Sequence, residues 1–458
     1  MKIAMIGAGY VGLTTGACLA DLGHGVVCVD VDRERVAKLE AGHLPIYEPG
    51  LDAIIARNRR RRRLSFSSDL AQAVAGAEAI FLAVGTPSRK DGSIDLSYIE
   101  RAARQIAKPM RRDAVVVVKS TVVAGTARRL REIIAEARGG LDFSVASNPE
   151  FLREGSAVED FMCPDRIVIG ADDPKAAAAL EQIYGRLIAE GASWLATSTT
   201  NAEMIKYAAN SLLALKIGFI NEVADLCEAV GGDVGAVAKG IGLDRRIGSA
   251  FLAAGPGFGG SCFPKDTRAF AALGRQRGAP QRIVETLIDR NDERKEAIAR
   301  RMLNEIGSAP GKRIALLGVA FKANTDDVRD SAALSIAPVL QRAGCAVAVH
   351  DPKASTTALL PGVAWCETAY EAADGADLVA ILTDWDDYRE LDLDLLRSVM
   401  AGDTLFDCRN LFDPEAVGRR GLRYFAIGRG GAGFKTEKRT PGSGIATAGA
   451  ARVVASPA

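Results

Sequence analysis

The chain has 458 residues, of which 48% are hydrophobic and 25% charged, with a formal net charge of +1. This suits a globular protein of two or three domains, and it supplies no overall field to draw nucleic acid or an anionic membrane. No apolar run reaches the roughly 18 residues of a spanning helix, and the opening MKIAMIGAGYVG is too broken by glycine for a signal peptide.

The N-terminal elements read as alternating strands and helices. Residues 2–6 form a short apolar strand, GAGYVG follows, and LTTGACLADLG continues as a helix. The next strand, HGVVCVDVD, ends in Asp30 and Asp32, and AEAIFLAVGTP and DAVVVVKST are further strands, each followed by a helical stretch. Continuous Val/Ile runs between helices predict a parallel sheet covered on both faces. Gly7, Gly9 and Gly12 stand between strand and helix, and Asp30 follows at about the 20-residue spacing of a dinucleotide fold. The glycines permit a tight turn and the close approach of a pyrophosphate to the helix N-terminus. Asp30 is suited to accept from a ribose diol and to repel a 2′-phosphate, which favours NAD over NADP; Arg35 weighs the other way.

SNPEFLREGSAVEDF places Glu150 and Glu154 just after another strand. From Thr199 to Val230 the only helix breaker is Gly218. One long helix is predicted there, buried on several sides, linking two domains and lying in a subunit interface. Its segment EMIKYAANS sets Lys206 and Asn210 four apart on one face, where both can donate to an oxygen.

The eight cysteines (Cys18, Cys28, Cys163, Cys227, Cys262, Cys345, Cys366 and Cys408) include no CxxC pair and no Cys/His cluster. Neither a disulfide framework nor a zinc site is expected, no other metal site is read, and a reducing cytoplasm is the expected compartment. Cys18, Cys28, Cys227 and Cys345 suit a buried structural thiol, but Cys262 lies in GFGGSCFPKD, between Gly255, Gly257, Gly259, Gly260 and Pro264. Pro264 fits the first turn of a helix, so Cys262 should sit where the helix dipole and Lys265 stabilise a thiolate. The glycines are expected to leave room for a ligand. A single hydride transfer has no use for such a thiol. An alcohol-to-acid oxidation does, because the thiol can trap the aldehyde and carry it to a thioester. Lys206 and Asn210 could then stabilise an oxyanion, while Glu150, Glu154 and Asp266 are the carboxylates available to activate water.

A second α/β pattern begins at KRIALLGVAFK, with a helix from about Ser331 and then AGCAVAVHDP. It echoes the N-terminus down to the acid closing the second strand, Asp351 against Asp30, but lacks the second and third glycines. A related fold without a second dinucleotide site is expected. The Gly/Ala/Ser-rich stretch 429–458 is expected to be disordered.

GAGYVGLTTGACLADLGH, IYEPGL, KSTV, NPEFLREGSAVEDF, PDRIVIG, GFGGSCFPKDT and GVAFKANTDDVRDS stand in the order found in UDP-glucose 6-dehydrogenases, and over residues 1–428 the chain resembles that family. The resemblance implies an α/β fold of two Rossmann-like parallel-sheet domains joined by a long central helix that forms a homodimer or a larger homo-oligomer. The expected divisions are 1–198 for NAD, 199–300 for the central region, and 301–428 for the UDP-sugar. The implied reaction oxidises UDP-glucose to UDP-glucuronate with two NAD and one water. By the same resemblance Cys262 is the nucleophile and Lys206 and Asn210 the oxyanion pair. Asp266 and Thr121 serve the water site, and Glu150 is an acid/base. Cofactor contacts fall on Val11, Asp30, Arg35, Thr86, Thr121, Glu154, Lys265 and Arg329, besides the glycine turn. Substrate contacts fall on Glu150, Phe151, Leu152, Arg153, Glu154, Lys206, Asn210, Phe251, Leu252, Ala253, Ala254, Gly255, Gly259, Phe321 and Lys322. Arg409 in FDCRN matches more weakly, and Arg246 matches an arginine that reaches a substrate across the dimer.

The five arginines at 59–63 depart from the family pattern. A solvated helix end is the favoured reading and an anion-binding patch the other. Three rival functions stay open: a GDP-mannose or UDP-N-acetylhexosamine dehydrogenase, a one-step hydroxyacid or phosphogluconate dehydrogenase, and a nucleotide-sugar-binding regulator without turnover.

Overall fold

The computed structural model describes residues 1–430 except 112, 141, 355 and 356. The first eight strands are β1 (Lys2–Ile6), β2 (Gly25–Val29), β3 (Leu64–Ser67), β4 (Ala79–Leu82), β5 (Val115–Val118), β6 (Ser144–Ser147), β7 (Arg166–Ala171) and β8 (Ser193–Thr197). They form one sheet in the order β3-β2-β1-β4-β5-β6-β7-β8. Every residue of β4, β5 and β6 is buried, because helices cover both faces, which is why β4 and β5 are apolar without alternation. The order reverses beside β1, the switch point where open α/β sheets bind ligands.

The expected all-parallel arrangement fails at one place: β7 pairs antiparallel with β6, Ser147 opposite Gly170. The chain leaves the carboxyl end of β6 and begins β7 beyond that same end. Residues 148–165 therefore stay on the ligand edge instead of crossing a face of the sheet. The outermost strand, β8, is largely exposed, as an edge strand with one neighbour can be.

The second sheet comprises β9 (Arg313–Leu317), β10 (Ala346–His350), β11 (Ala364–Trp365), β12 (Leu378–Ile381), β13 (Thr404–Asp407) and β14 (Arg423–Ala426). Its order, β11-β10-β9-β12-β13-β14, repeats the first six positions of the N-terminal sheet. The echo seen in sequence extends to backbone geometry. Gly7 at φ +102 donates its N–H to Val29 O at 2.8 Å, and Gly318 at φ +100 donates to His350 O at 2.8 Å. The acids then differ. Asp30 Oδ2 accepts one turn amide, Ala8 N at 2.9 Å, whereas Asp351 Oδ2 accepts two, Val319 N at 2.7 Å and Ala320 N at 2.8 Å. In the second turn a side chain of the protein itself takes up the amides.

Thr199–Val230 is one helix of 32 residues, capped by Ser198 and ended by Gly231 in the left-handed conformation. Its lone glycine has a steric reason, since a Cβ at Gly218 would lie 2.2 Å from Leu287 Cδ1 on the crossing helix Arg282–Ile306. Within the single chain the helix is less covered than expected. Leu212, Phe219 and Leu226, at intervals of seven, are 60%, 54% and 62% exposed and form one apolar stripe. Helix Arg282–Ile306 runs straight through position 300, where a domain division was expected, because nothing breaks it before Gly307. Gly430 N donates to Gly232 O at 2.9 Å; the rest of the stretch expected to be disordered, 431–458, lies outside the described residues. Of the arginine run, Arg59 is tied back to Glu40 O at 2.6 Å while residues 60–63 are exposed.

Candidate active site

The glycine turn after β1 is shaped by contact and by space. A Cβ at Gly12 would lie 1.9 Å from Gly7 O, and one at Gly7 2.6 Å from Ala83 O, so both positions exclude a side chain. Gly9 faces open space, and no side chain caps the helix Tyr10–Asp21 that starts beside it and carries Val11 in its first turn. An uncapped helix N-terminus next to an open glycine fits the pyrophosphate of a dinucleotide. Asp30 closes β2, and Arg35 Nη1 lies 3.0 Å from its Oδ2 while Nη2 lies 3.9 Å from Asp32. Arg35 is thus committed to two carboxylates. Thr86 Oγ1 donates to Thr121 O at 2.9 Å, tying the loops after β4 and β5 together on the same edge.

Cys262 occupies the N-cap of helix Phe263–Gln276, with Pro264 in the first turn as expected. Four residues predicted from three separate segments converge in bonded pairs. Lys206 Nζ lies 2.9 Å from Glu150 Oε1, both side chains only 4% exposed, and Leu152 N holds the other oxygen at 2.7 Å. One helical turn on, Asn210 Nδ2 donates to Asp266 Oδ2 at 2.6 Å. Burial works against the Glu150 charge, but Lys206 holds that carboxyl below its usual range. Burial likewise opposes the Lys206 charge, yet Glu150 carries the ammonium above its usual range.

The thiolate expectation is overturned. Burial first, and Glu150 next, push the Cys262 thiol up to about 11 against the opposing charge of Lys206. The charge expected from Lys265 is spent locally, since its Nζ lies 2.6 Å from Asp266 Oδ1. At three of these glycines the side-chain position is filled by protein atoms. A Cβ at Gly259 would meet Asp330 O at 2.5 Å, one at Gly260 the Phe321 ring at 2.7 Å, and one at Gly257 Asn291 Oδ1 at 2.8 Å. At Gly259 and Gly260 they let the C-terminal domain approach the cysteine loop closely, and at Gly257 the helix Arg282–Ile306.

Glu154 joins the two domains. Its carboxylate accepts from Ser261 Oγ at 2.7 Å, and Arg329, itself held by Asp327, comes within 3.7 Å. Burial, followed by Asp327, raises the Glu154 carboxyl to about 7. Phe151 has two cations near its ring centre, Arg166 at 4.0 Å and Lys206 at 5.4 Å, and Arg153 is held by Asp160. Lys322 lies over Phe321, whose carbonyl accepts from Arg409 at 3.2 Å. Phe251, at φ +63, packs on Phe263. It opens a loop in which Leu252, Ala254 and Gly255 are buried and Ala253 exposed. Arg246 stands apart, projecting to solvent with Asp244 as its ion partner.

Sequence reasoning passed over Lys119, Ser261, Tyr10 and Glu48. Lys119 is buried among Asn148 Oδ1 at 3.1 Å and Tyr184 OH at 3.4 Å, and burial lowers its ammonium to about 7. Both KSTV and IYEPGL were conspicuous as motifs, but their partners are distant in the chain. Among the described residues no cluster of His, Cys, Asp and Glu could hold a metal, and no helix is long and apolar enough to cross a membrane.

Three family models match in order: the NAD binding domain of the UDP-glucose/GDP-mannose dehydrogenase family over 1–188, its central domain over 200–293, and its UDP binding domain over 315–414. The UDP-glucose 6-dehydrogenase of Rhizobium meliloti is 49% identical over 94% of this chain and 100% of its own length. A UDP-glucose 6-dehydrogenase of Bacillus subtilis is 44% identical over 93% of each. Among solved structures, a UDP-glucose dehydrogenase from Pyrobaculum islandicum superposes with a TM-score of 0.87 at 40% identity, covering 94% of this chain and 98% of the other. The UDP-D-ManNAc dehydrogenase of Pyrococcus horikoshii gives 0.84 at 28%, covering 94% and 100%. With an NAD-binding sheet, a central helix, a second Rossmann-like sheet and matches along nearly its whole length, the chain belongs to the UDP-glucose/GDP-mannose dehydrogenase family.

Proposed function

We propose that the protein oxidises the C6 alcohol of UDP-glucose to UDP-glucuronate through a covalent intermediate on Cys262. One arrangement carries this reading: the thiol at a helix N-terminus, beside the bonded pairs Lys206–Glu150 and Asn210–Asp266, on the carboxyl edge of the dinucleotide-binding sheet. The glycine turn with Asp30, Thr86, Thr121, Glu154, Lys265 and Arg329 would hold NAD, which would supply the hydride acceptor for both oxidations.

Glu150 takes the proton of the alcohol in the first oxidation. Lys206 Nζ and Asn210 Nδ2 donate to the substrate oxygen as it gains negative charge, in a site that excludes bulk water. Cys262 Sγ bonds to the aldehyde carbon as the carbon–oxygen double bond opens, and the thiol proton passes to that oxygen; loss of a hydride and of this hydroxyl proton, the latter to water, leaves a thioester. Asp266, with Thr121, orients the water whose oxygen enters the acid. The carbon–sulfur bond breaks and Sγ takes up a proton released by that water. The nucleotide sugar is held by residues 251–255, Gly259, Phe321, Lys322 and Arg409. Arg246 of one protomer reaches the substrate of its partner in a dimer formed along the apolar stripe of the central helix. The protein acts in the cytoplasm, where its thiols stay reduced.

Greater identity to UDP-glucose dehydrogenases than to the UDP-D-ManNAc enzyme favours glucose as the sugar. Counting NADH formed per sugar consumed, over a panel of nucleotide sugars with NAD and NADP, tests the proposal. Two NADH per UDP-glucose is the expected result. One would identify a simple dehydrogenase, none a binding protein, and faster turnover of another nucleotide sugar would reassign the substrate.

A further inference from the structure

The motif IYEPGL takes no part in the mechanism above, yet its glutamate is buried and joins two loops that the mechanism uses separately. Glu48 is 5% exposed. Its Oε2 accepts from the hydroxyl of Tyr10 and from Gly155 N at 2.7 Å, and its Oε1 accepts from Ala157 N at 2.7 Å. Tyr10 is the first residue of the helix that leaves the dinucleotide turn. Gly155 follows Glu154, whose carboxylate accepts from Ser261 Oγ at 2.7 Å, and Ser261 Oγ lies 3.5 Å from Cys262 Sγ. Only a glycine fits the loop at this point. Gly155 has φ +79, and a Cβ there would meet Asn324 O of the C-terminal domain at 2.5 Å. The preceding residue of the motif, Tyr47, lies under Lys353 Nζ at 4.9 Å from its ring centre, so the motif also touches the second sheet's domain.

We propose that Glu48 is a positioning residue that ties the dinucleotide turn, through Tyr10, to the loop that sets Glu154 beside Ser261 and Cys262. A buried carboxylate persists only where donors meet it, and here the donors come from the two loops to be aligned. A glutamine at this position would turn an NH2 toward one set of donors, so one arm of the tie must open. A phenylalanine at position 10 removes only the hydroxyl.

The kinetic part of the test rests on the oxidation proposed above; the chemical part does not. Tyr10→Phe and Glu48→Gln are compared with the parent by kcat/KM for UDP-glucose and by the rate of iodoacetamide alkylation at Cys262. Each variant should lower kcat/KM by about tenfold, the effect of losing a hydrogen bond to a charged group, and should speed alkylation as the loop over the thiol loosens. The double variant should match Glu48→Gln alone, because both act through one link. A lowered melting temperature with both readouts within twofold of the parent would make the contact merely structural and overturn the proposal, as would additive losses in the double variant. If Glu48→Gln does not fold, the isosteric Tyr10→Phe decides by itself. A parent that fails to oxidise UDP-glucose would sink the proposed function, and the alkylation rates would still judge Glu48.

Discussion

Asn210 Nδ2 donates to Asp266 Oδ2 at 2.6 Å, while Lys265 Nζ lies 2.6 Å from the other oxygen, Oδ1. Both oxygens of a buried carboxylate are therefore held by donors from two helices, which fixes its plane beside Cys262. In Asp266→Asn one of those donors meets an NH2 group instead. Turnover should fall by about a hundredfold or more, the scale on which a positioned polar group at a reacting oxygen acts, while UDP-glucose binding by calorimetry stays within a few fold. Normal turnover in this variant would remove Asp266 from the water site.

Cys262→Ser should abolish steady-state formation of the acid with fold and cofactor binding intact. Serine is nearly isosteric, but its hydroxyl is a far weaker nucleophile without a dedicated base. Mass spectrometry after incubation with UDP-glucose and NAD should find either a stalled sugar-nucleotide ester on the new serine or no adduct and no turnover. Sustained release of two NADH per sugar at the parent rate would return Cys262 to a structural role.

The thiol's own titration is testable with the free protein. Because burial and Glu150 push it up to about 11, alkylation of Cys262 should be slow at neutral pH and rise about tenfold per pH unit as thiolate forms. Glu150→Gln removes a charge that raises this pKa and leaves Lys206, which lowers it. The variant should therefore be alkylated faster than the parent at pH 8. A slower rate would mean that Glu150 does not act on the thiol electrostatically.

NAD should be strongly preferred over NADP, judged by kcat/KM with each cofactor. Asp30 repels a 2′-phosphate, and Arg35, which could attract one, is held by Asp30 at 3.0 Å. Asp30→Ala removes the repulsion and frees Arg35, so the preference should narrow. It also removes the acceptor of Ala8 N in the glycine turn, so use of NAD should weaken as well. Equal use of both cofactors by the unaltered protein would defeat the assignment.

The sequence by itself determined the features that local physics controls. Apolar runs between helices made the sheets, a stretch from Thr199 to Val230 with no breaker but Gly218 made one long helix, and Pro264 set the helix start behind Cys262. Glycine spacing and Asp30 marked the cofactor turn, and the echo at Asp351 marked the second sheet. What only the tertiary structure decided is set by packing between segments far apart in the chain. The antiparallel return of β7 keeps loop 148–165 on the ligand edge. The glycines around Cys262 prove to admit Asp330, Phe321 and Asn291. The thiol, expected to ionise at a helix N-terminus, is pushed up because burial and Glu150 outweigh Lys206, while Lys265 is already paired with Asp266. Charge balance in a buried site is a sum over neighbours brought together by folding, and a motif read one segment at a time cannot supply it.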